Sequence, residues 1–324
     1  MNIVTKSLIV LTAMAFANSA NSEVKLALDS QADLNKSGTF VWASAFKEHL
    51  EANGIAVKTF PRGALGGEKE RMDQVSQGLL EVSMSAVKSA GASNKLIYGV
   101  YLPYLFEGPS HFDAAVKRAG MIKMVNKSLA RDGLRLLSFV LVGPSTGIFN
   151  TKKPISRVAD LADLRMRALD ENQIKLFSAW GTTGTIVSWK EVPNALQTGI
   201  ADGYVNPAFV PLIFGHTDFI KYFTDARVSV STRIALASED WYQGLSDKER
   251  TVVNDAAAKA TAANRAWLKK TEPGMLTALE QAGVAIQQLS PEARAEFVAR
   301  SKQVYAAGVL TPAQTEIWLK AAEK

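Results

Sequence analysis

The 324-residue chain is 47% apolar and 21% charged, a composition that supports about two globular domains of ~150 residues and excludes an intrinsically disordered protein. It contains no cysteine, which excludes a disulfide framework, thiol chemistry and a lipid anchor on an N-terminal cysteine. Its formal net charge of +6 comes from scattered basic residues rather than the clustered stripe of a nucleic-acid-binding protein, and such mild positive charge favours a small anionic ligand.

Residues 1–22 have the pattern of a secretory signal peptide. Lys6 precedes an apolar run from Leu8 to Ala17, and small residues follow at positions 20–22, where a signal peptidase cuts. The alternative is a transmembrane anchor, which needs about 20 apolar residues and therefore a longer run than this one. We expect export to the periplasm, cleavage near Glu23 and a free, soluble mature protein.

The first half of the mature chain alternates strands with helices, the order that predicts a parallel sheet. The apolar spacings predict strands at residues 23–28, 56–60, 80–86 and 134–142, and helices at residues 40–50, 68–79 and 112–129. The second of these helices would carry Met72, Val75 and Leu79 on one face. Gly143-Pro144 should end this half of the chain.

Three features of this half could contact a ligand. Gly66-Gly67 could cradle a phosphate, but the turn matches neither a P-loop nor a dinucleotide-binding fingerprint, and a tight turn that leads into a helix is the simpler interpretation. Ser83 and Ser85 offer hydroxyls from one face of a strand. The aromatic residues of segment 101–106 form either core or a wall that faces the ligand, and core is favoured.

The segment from Leu164 to Ala168 predicts a strand with an anion site at its end. Apolar residues alternate there with Arg165 and Arg167, so both guanidinium groups should lie on one strand face. Asp170 is a good N-cap for a helix that ends at Gly181. Arg167 would therefore lie at the carboxyl end of a strand and before a helix N-terminus, where open α/β sheets bind anionic ligands.

A second βα unit is predicted directly after this one. Residues 182–187 are extended, a short helix covers residues 192–199 with Pro193 in its first turn, and Asp202-Gly203 forms a turn. Between residues 209 and 223, aromatic side chains recur at helical spacing.

The last third of the chain is predicted to contain a hinge strand and three helices. Residues 226–237 predict one strand longer than the usual length of about five or six residues, which would suit a strand that runs through both domains. Ser246 and Glu249 form a capping box for a helix that reaches Lys270, and Pro273 should kink or stop it. Two further helices are predicted at residues 292–305 and 312–322.

The sequence offers no constellation of catalytic groups. His49, His111 and His216 stand alone in different elements, so each is interpreted as a surface or packing residue. No nucleophile elbow, β-lactamase-type pair or zinc-protease motif occurs. We therefore expect a binding site and not an enzyme, with no metal and no cofactor. The alternative is a periplasmic hydrolase or isomerase that uses Glu68 as its general base.

Four strings resemble the periplasmic solute-binding proteins of TRAP transporters, the DctP family. These are RMRA at 165–168, WKEVPNALQTGIADGYVNP at 189–207, GALGGEKERMDQVSQGLLEVSM at 63–84 and YLPYLF at 101–106. They occur in the family's order and span most of the mature chain. The resemblance implies an α/β fold of the two-lobed periplasmic-binding-protein type, with crossing hinge strands and a long helix that spans both lobes. It also implies that a small organic acid is captured between the lobes and delivered to a TRAP membrane permease.

The resemblance also implies roles for individual residues. Arg167 would pair with the ligand carboxylate, Asn206 would hydrogen-bond to it, and Trp189 would form the aromatic wall of the site. The other candidate ligand-binding residues are Thr146, Ser85, Glu68 and Tyr204. The protein is expected to be a monomer without a nucleic-acid partner. An ABC-type binding protein would share this architecture and differ in its membrane partner.

The break at Gly143-Pro144 and the long strand at 226–237 predict how the chain divides between the lobes. After the signal peptide (1–22), residues 23–144 and 233–272 would form lobe I, and residues 145–232 and 273–300 would form lobe II. Residues 301–324 would form a C-terminal helical segment.

Two departures from the family pattern bear on the ligand. Many members carry a second ligand-side arginine near the place where Thr146 stands here. Asp170-Glu171, directly after the arginine strand, adds negative charge that disfavours a dianionic ligand. We therefore expect a monocarboxylate, a sulfonate, or a small hydroxylated or 2-oxo acid rather than a C4 dicarboxylate.

Overall fold

The computed structural model describes residues 23–323, so the predicted signal peptide lies outside the described residues. The strands are β1 (Val24–Ala27), β2 (Val57–Phe60), β3 (Val82–Ala86), β4 (Leu134–Gly143), β5 (Gly147–Asn150), β6 (Arg165–Ala168), β7 (Thr183–Ile186), β8 (Gly203–Asn206), β9 (Tyr222–Thr224), β10 (Ser231–Ser238) and β11 (Ala285–Gln287). The α-helices are α1 (Gly38–Ala52), α2 (Glu68–Ser76), α3 (Lys88–Gly91), α4 (Pro109–Arg118), α5 (Met121–Leu129), α6 (Glu171–Ala179), α7 (Val192–Gln197), α8 (Val210–Phe214), α9 (Glu239–Gly244), α10 (Asp247–Gln281), α11 (Pro291–Ser301), α12 (Val304–Ala307) and α13 (Pro312–Ala321).

The strands form two separate sheets, which confirms the predicted two-lobed α/β fold. The first sheet has the order β2-β1-β3-β10-β4, and the second has the order β11-β9-β5-β8-β6-β7. β2 and β3 pair in parallel with β1, whereas β10 runs antiparallel between β3 and β4. The first sheet is therefore mixed and not purely parallel, because its strand β10 returns from the second half of the chain.

The connection into β10 differs from the single long strand that the sequence predicts. β10 begins only at Ser231, and residues 225–230 cross between the sheets as irregular chain. Arg227 has a φ of 47°, a left-handed conformation that interrupts an extended path. The crossing chain is held by backbone hydrogen bonds, in which the N–H of Tyr104 donates to Val228 and the N–H of Thr146 donates to Ser229. The residue boundaries of the two lobes stay a prediction.

The long helix α10 spans the two lobes. Its N-terminus has the predicted capping box of Ser246 and Glu249, and it packs on α1 and β4 in the first lobe and on β11 in the second. Of the two outcomes expected at Pro273, a kink or a stop, the stop is wrong, since α10 continues to Gln281, and the kink stays a prediction. Pro273 and Lys269 are both exposed, so water can bind the carbonyl group that has lost its helical partner.

Four other predicted helices are shorter than the apolar spacing indicates. The predicted helix 112–129 is split into α4 and α5 at Gly120, α2 ends before Gly78, and the aromatic segment 209–223 forms only α8 before Gly215 and then β9. These three glycines have positive φ, a conformation that ends a right-handed helix. Leu79 is consequently outside α2 and is 58% exposed, contrary to prediction. The predicted helix 292–305 is divided into α11 and α12.

The C-terminal helix α13 closes the first lobe through Trp318. The indole N–H of Trp318 donates to the carbonyl oxygen of Leu96 at 2.7 Å, within a 3-10 helix at Lys95–Tyr101. A Cβ atom on Gly99 would lie 1.9 Å from the Trp318 ring. The contact therefore requires glycine at this position.

Within residues 23–323, the helices include none that is long and apolar enough to cross a membrane.

Replacement of Gly99 by alanine should destabilise the protein. Because the added methyl group would overlap the buried Trp318 ring, we expect the free energy of unfolding to fall by about 1–3 kcal/mol, measured by urea denaturation. Gly244→Ala is the control, since nothing lies within 4 Å of its added Cβ atom, and it should change stability by less than about 0.5 kcal/mol. Equal stability of the Gly99→Ala variant and the wild type would show that α13 does not pack tightly on this segment.

Candidate functional site

Arg167 is a buried cation at the carboxyl end of β6. Its strand lies between β7 and β8, and Arg167 is opposite Thr185 and Tyr204 in the two ladders. The residue is only 3% exposed, and it forms no ion pair within residues 23–323. Burial lowers the pKa of Arg167 to about 10, so the side chain stays protonated at neutral pH. A buried charge without a partner is costly, which makes this position suited to an anionic ligand.

Two contacts hold the Arg167 guanidinium in place. Its Nε–H donates to the carbonyl oxygen of Val187 at 2.9 Å, and its Cζ lies 5.3 Å from the centroid of the Trp189 ring. The hydrogen bond uses the Nε side of the group, so the two terminal Nη groups are left to face a ligand. This arrangement suits an end-on bidentate pair with a carboxylate.

Arg165, at the start of β6, has a structural role. It binds Asp202 through Nε at 3.1 Å and Nη2 at 3.3 Å, and its side chain is 56% exposed. Arg165 and Arg167 therefore differ in role. Arg165 links β6 to Asp202, which precedes β8, whereas Arg167 has no carboxylate partner among the described residues.

An aromatic wall stands beside Arg167. Trp189 packs against Tyr204, Phe214 and His216, with ring centroids 5.7, 5.2 and 5.0 Å away. The Tyr204 hydroxyl and His216 Nδ1 are 3.2 Å apart. The interpretation of His216 as a packing residue is confirmed, because it is only 2% exposed. Phe214 was not singled out by the sequence, although the aromatic spacing after Pro207 contains it.

Asn206 brings an open hydrogen-bond donor to the same end of the second sheet. It is the last residue of β8, opposite Gly147 of β5. Its Nδ2 atom is buried and has no hydrogen-bond partner in the described part of the chain. A buried amide nitrogen without an acceptor is rare in folded proteins, and a ligand oxygen would satisfy it.

Residues 29–310 match the family described as bacterial extracellular solute-binding protein, family 7, or DctP. The chain belongs to this family. It is 30% identical to the ectoine/5-hydroxyectoine-binding periplasmic protein UehA of Ruegeria pomeroyi, over 68% of this chain and 66% of that protein. It is 28% identical to the ectoine-binding periplasmic protein TeaA of Halomonas elongata, over 82% of this chain and 79% of that protein. The family resemblance inferred from the sequence is confirmed.

Solved structures of DctP-family proteins share the fold. A TRAP periplasmic solute-binding protein from Bradyrhizobium, in complex with galacturonate, has a TM-score of 0.84 at 22% identity, covering 93% of this chain and 100% of its own. Another from Polaromonas, bound to D-erythronate, has a TM-score of 0.81 at 23% identity, covering 92% and 97%. At such identities the likeness establishes the two-lobed architecture alone.

The first lobe of this DctP-family protein contributes a charged network at the cleft that the sequence analysis missed in part. Glu68 accepts the backbone N–H of Ala86 at 3.1 Å and forms an ion pair with Arg233, which also pairs with Asp29. Burial raises the pKa of Glu68, but the charge and hydrogen bond of Arg233 and the charges of Lys88 and Arg71 together outweigh burial, so the net pKa is lowered. Asp29 directly follows a predicted strand, and Arg233 interrupts an apolar strand. Either pattern could have identified these residues as members of a charged network at the cleft.

The remaining predicted ligand-binding residues are engaged with the protein. Ser83 and Ser85 lie on one strand face, as the alternation predicts, with their hydroxyl oxygens 3.2 Å apart, and the buried Arg71 donates to Ser83 at 3.2 Å. Thr146 lies at the crossing between the lobes, where its hydroxyl is 3.2 Å from that of Ser229. Ligand contacts by Ser85 and Thr146 stay predictions.

A small cavity near the crossing is not the site of the charge chemistry. A cavity of about 50 Å³ is lined by residues of both lobes, among them Tyr98, Leu169 and Leu310. It excludes Arg167 and Asn206, and it is smaller than the pockets of several hundred Å³ that hold small molecules. We therefore assign the ligand site from the unpaired polar atoms around Arg167.

The acid sensitivity of the fold should depend on His216. Burial and then the charges of Arg167 and Arg62 lower the pKa of His216 from 6.5 to about 4. The unfolded chain therefore takes up this proton first as the pH falls, and stability is lost between the two pKa values and unaffected above them. A His216→Gln variant lacks this term, so its melting temperature should fall less than that of the wild type on acidification from about pH 7 to pH 4. Equal slopes in calorimetry would contradict a neutral His216 in the folded state.

Proposed function

We propose that this DctP-family protein captures a small organic acid with one carboxylate in the cleft between its lobes, in the periplasm, and delivers it to a TRAP permease. The observation that carries the proposal is the buried Arg167 guanidinium with no carboxylate partner among the described residues. A ligand carboxylate would pair with its terminal Nη groups, while Asn206 Nδ2 donates to an oxygen of the same group. The aromatic wall would cover the apolar part of the ligand.

The charge pattern favours one carboxylate over two. Arg233 is the other cation held at the cleft by ion pairs, and Asp29 and Glu68 already neutralise it. Asp170 adds a further negative charge near Arg167. The buried Arg71 of the first lobe already donates hydrogen bonds to the Ser83 hydroxyl and to the carbonyl oxygens of Gly66 and Met84. A second ligand carboxylate would therefore find no buried arginine as open as Arg167 among the described residues. The relatives that are named for ectoine and the structures that hold sugar acids support a ligand of this class.

Binding without turnover is favoured by the state of Glu68. As a general base, Glu68 would need a pKa near the working pH and a free oxygen that reaches the substrate. Its Oε1 is instead engaged by Arg233 and Ala86, and its net pKa is lowered. The relatives in this family are binding proteins, which supports the same conclusion for this chain.

A thermal-shift screen with organic acids would identify the ligand. Incubation of the hit with the protein, followed by mass spectrometry, should recover the acid unchanged, whereas a product would favour the hydrolase or isomerase alternative. The partner is tested by uptake of the labelled acid into proteoliposomes that contain a TRAP permease. Uptake only through an ABC permease would contradict this part of the proposal.

Substitution of Arg167 by lysine should weaken binding even though it keeps the charge. Lysine lacks the planar pair of donors and cannot reproduce the contacts to both Val187 and the ligand. We expect a loss of about a hundredfold or more in affinity, or roughly 3 kcal/mol, by titration calorimetry with the identified acid.

The matched control is Arg165→Lys, on the same strand. Arg165 is half-exposed and paired with Asp202, so this variant should bind within a few-fold of wild type. A larger loss of affinity for Arg165→Lys than for Arg167→Lys would show that Arg165, and not Arg167, binds the anion.

Ligand binding should close the cleft. The site draws on both lobes, and Arg62 of the first lobe lies 5.2 Å from the Phe214 ring of the second, so a ligand between them favours the closed arrangement. Small-angle X-ray scattering should give a lower radius of gyration with the identified acid than without it. An unchanged radius of gyration would count against hinge closure.

A further inference from the structure

The carboxylate of Asp170 is divided between two environments. Its Oδ1 caps helix α6, accepting the backbone N–H groups of Asn172 at 3.0 Å and Gln173 at 3.3 Å. Its Oδ2 is buried and has no hydrogen-bond partner within residues 23–323. The residue as a whole is only 9% exposed. The helix cap accounts for the hydrogen bonds of Oδ1, whereas Oδ2 has no hydrogen-bond donor among the described residues.

The unpartnered oxygen belongs to the cleft. Asp170 acts electrostatically on Tyr98, Tyr101 and Lys88 of the first lobe, and on Arg167 three residues earlier in its own lobe. None of these groups forms an ion pair or hydrogen bond with it among the described residues. Asp170 therefore lies between the lobes, close to the cation that we assign to the ligand carboxylate.

A buried acceptor of this kind is open to a donor from outside the protein. Burial raises the pKa of Asp170 although the helix N–H groups, the side chain of Asn172 and the charge of Lys88 all lower it. No donor among the described residues reaches Oδ2 with hydrogen-bond geometry, so the protein does not compensate the charge fully. Since buried polar atoms in folded proteins are almost always hydrogen-bonded, a bound molecule is the natural source of the missing donor.

We infer that Asp170 Oδ2 accepts a hydrogen bond from a hydroxyl group or a protonated nitrogen that the ligand carries near its carboxylate. This inference rests on the proposed function and narrows its ligand class to monocarboxylates that carry a donor, either hydroxy acids or zwitterionic acids. Simple carboxylates, sulfonates and 2-oxo acids without a donor would leave the buried oxygen unsatisfied. A site built to bond a polar group discriminates strongly against the analogue that lacks it.

A matched panel of acids tests the ligand class. Titration calorimetry would compare butanoate, 2-oxobutanoate and hexanoate with the 2-, 3- and 4-hydroxybutanoates, the corresponding aminobutanoates, D-erythronate, D-galacturonate and ectoine. We expect a donor-bearing acid to bind at least about tenfold more tightly than any acid without a donor. The hydroxy and amino arms distinguish the two sources of the donor.

The panel separates the two hypotheses. Plain acids that bind as tightly as every donor-bearing acid would overturn the inference and leave the proposed function intact. Failure of every acid in the panel to bind would overturn both.

The variant Asp170→Asn tests the residue itself. Asparagine is an equally good N-cap, so the helix is preserved, while an amide NH₂ donor replaces the free acceptor oxygen. Affinity for the best donor-bearing acid should fall about tenfold or more, and affinity for butanoate or hexanoate should stay the same or rise. An equal change for both sets would show that Asp170 acts only through its charge on Arg167, and no change would show that it does not contact the ligand.

Two further variants keep the test decisive. Glu171→Gln removes the same formal charge from the exposed neighbouring residue, and it should leave all affinities within about twofold. Asp170→Ser retains a capping oxygen and removes the second one, so it should repeat the selective loss if Asp170→Asn folds poorly by circular dichroism. Arg167→Lys weakens both sets of acids together, which distinguishes failure of the anion site from failure of this inference.

Discussion

The site depends on the buried Arg167 guanidinium, which has no carboxylate partner among the described residues. Arg167 lies at the carboxyl end of β6, and the strands on either side remove it from water. Burying a charge without a partner is costly. Such a charge is tolerated when neighbouring groups hold the side chain in place and a bound ligand can supply the opposite charge. Val187 and Trp189 fix the guanidinium, and Asp202 is taken by Arg165 instead. The fold therefore presents a buried guanidinium that suits an anionic ligand.

The two lobes differ in how their buried polar groups are paired. In the first lobe, the charge of Arg233 is shared by Asp29 and Glu68. At the ends of β6 and β8, Asp170 Oδ2 and Asn206 Nδ2 have no hydrogen-bond partner among the described residues, and Arg167 has no carboxylate partner there. A cation, an acceptor and a donor in one cleft complement a ligand with a carboxylate and a hydrogen-bond donor. Such complementarity gives selectivity as well as affinity, since each atom without a partner penalises the wrong ligand.

The errors of the sequence analysis share a physical cause. Apolar spacing predicts helices well, but it does not detect single residues in the left-handed conformation. Gly120, Gly78 and Gly215 end helices that the spacing continues, and Arg227 interrupts the predicted hinge strand. Glycine tolerates either sign of φ, so its presence marks a possible break and the tertiary packing decides whether the break occurs. The helix through Pro273 is the opposite error, in which packing across both lobes sustains a helix against local preference.

The sequence by itself determined the elements that carry the site. Alternation placed Arg167 on a strand face, the N-cap signal of Asp170 placed it before a helix, and the family strings supplied Asn206 and Trp189. These are local properties, set by side-chain period, capping and motif within a few residues. Only the tertiary structure decided which polar atoms have partners. Asp202 pairs with Arg165, 37 residues away in sequence, and Glu68 pairs with Arg233, 165 residues away. Among the described residues, Arg167 has no carboxylate partner and Asp170 Oδ2 has no hydrogen-bond donor. Burial and pairing depend on chain segments far apart in sequence, so no local pattern contains them.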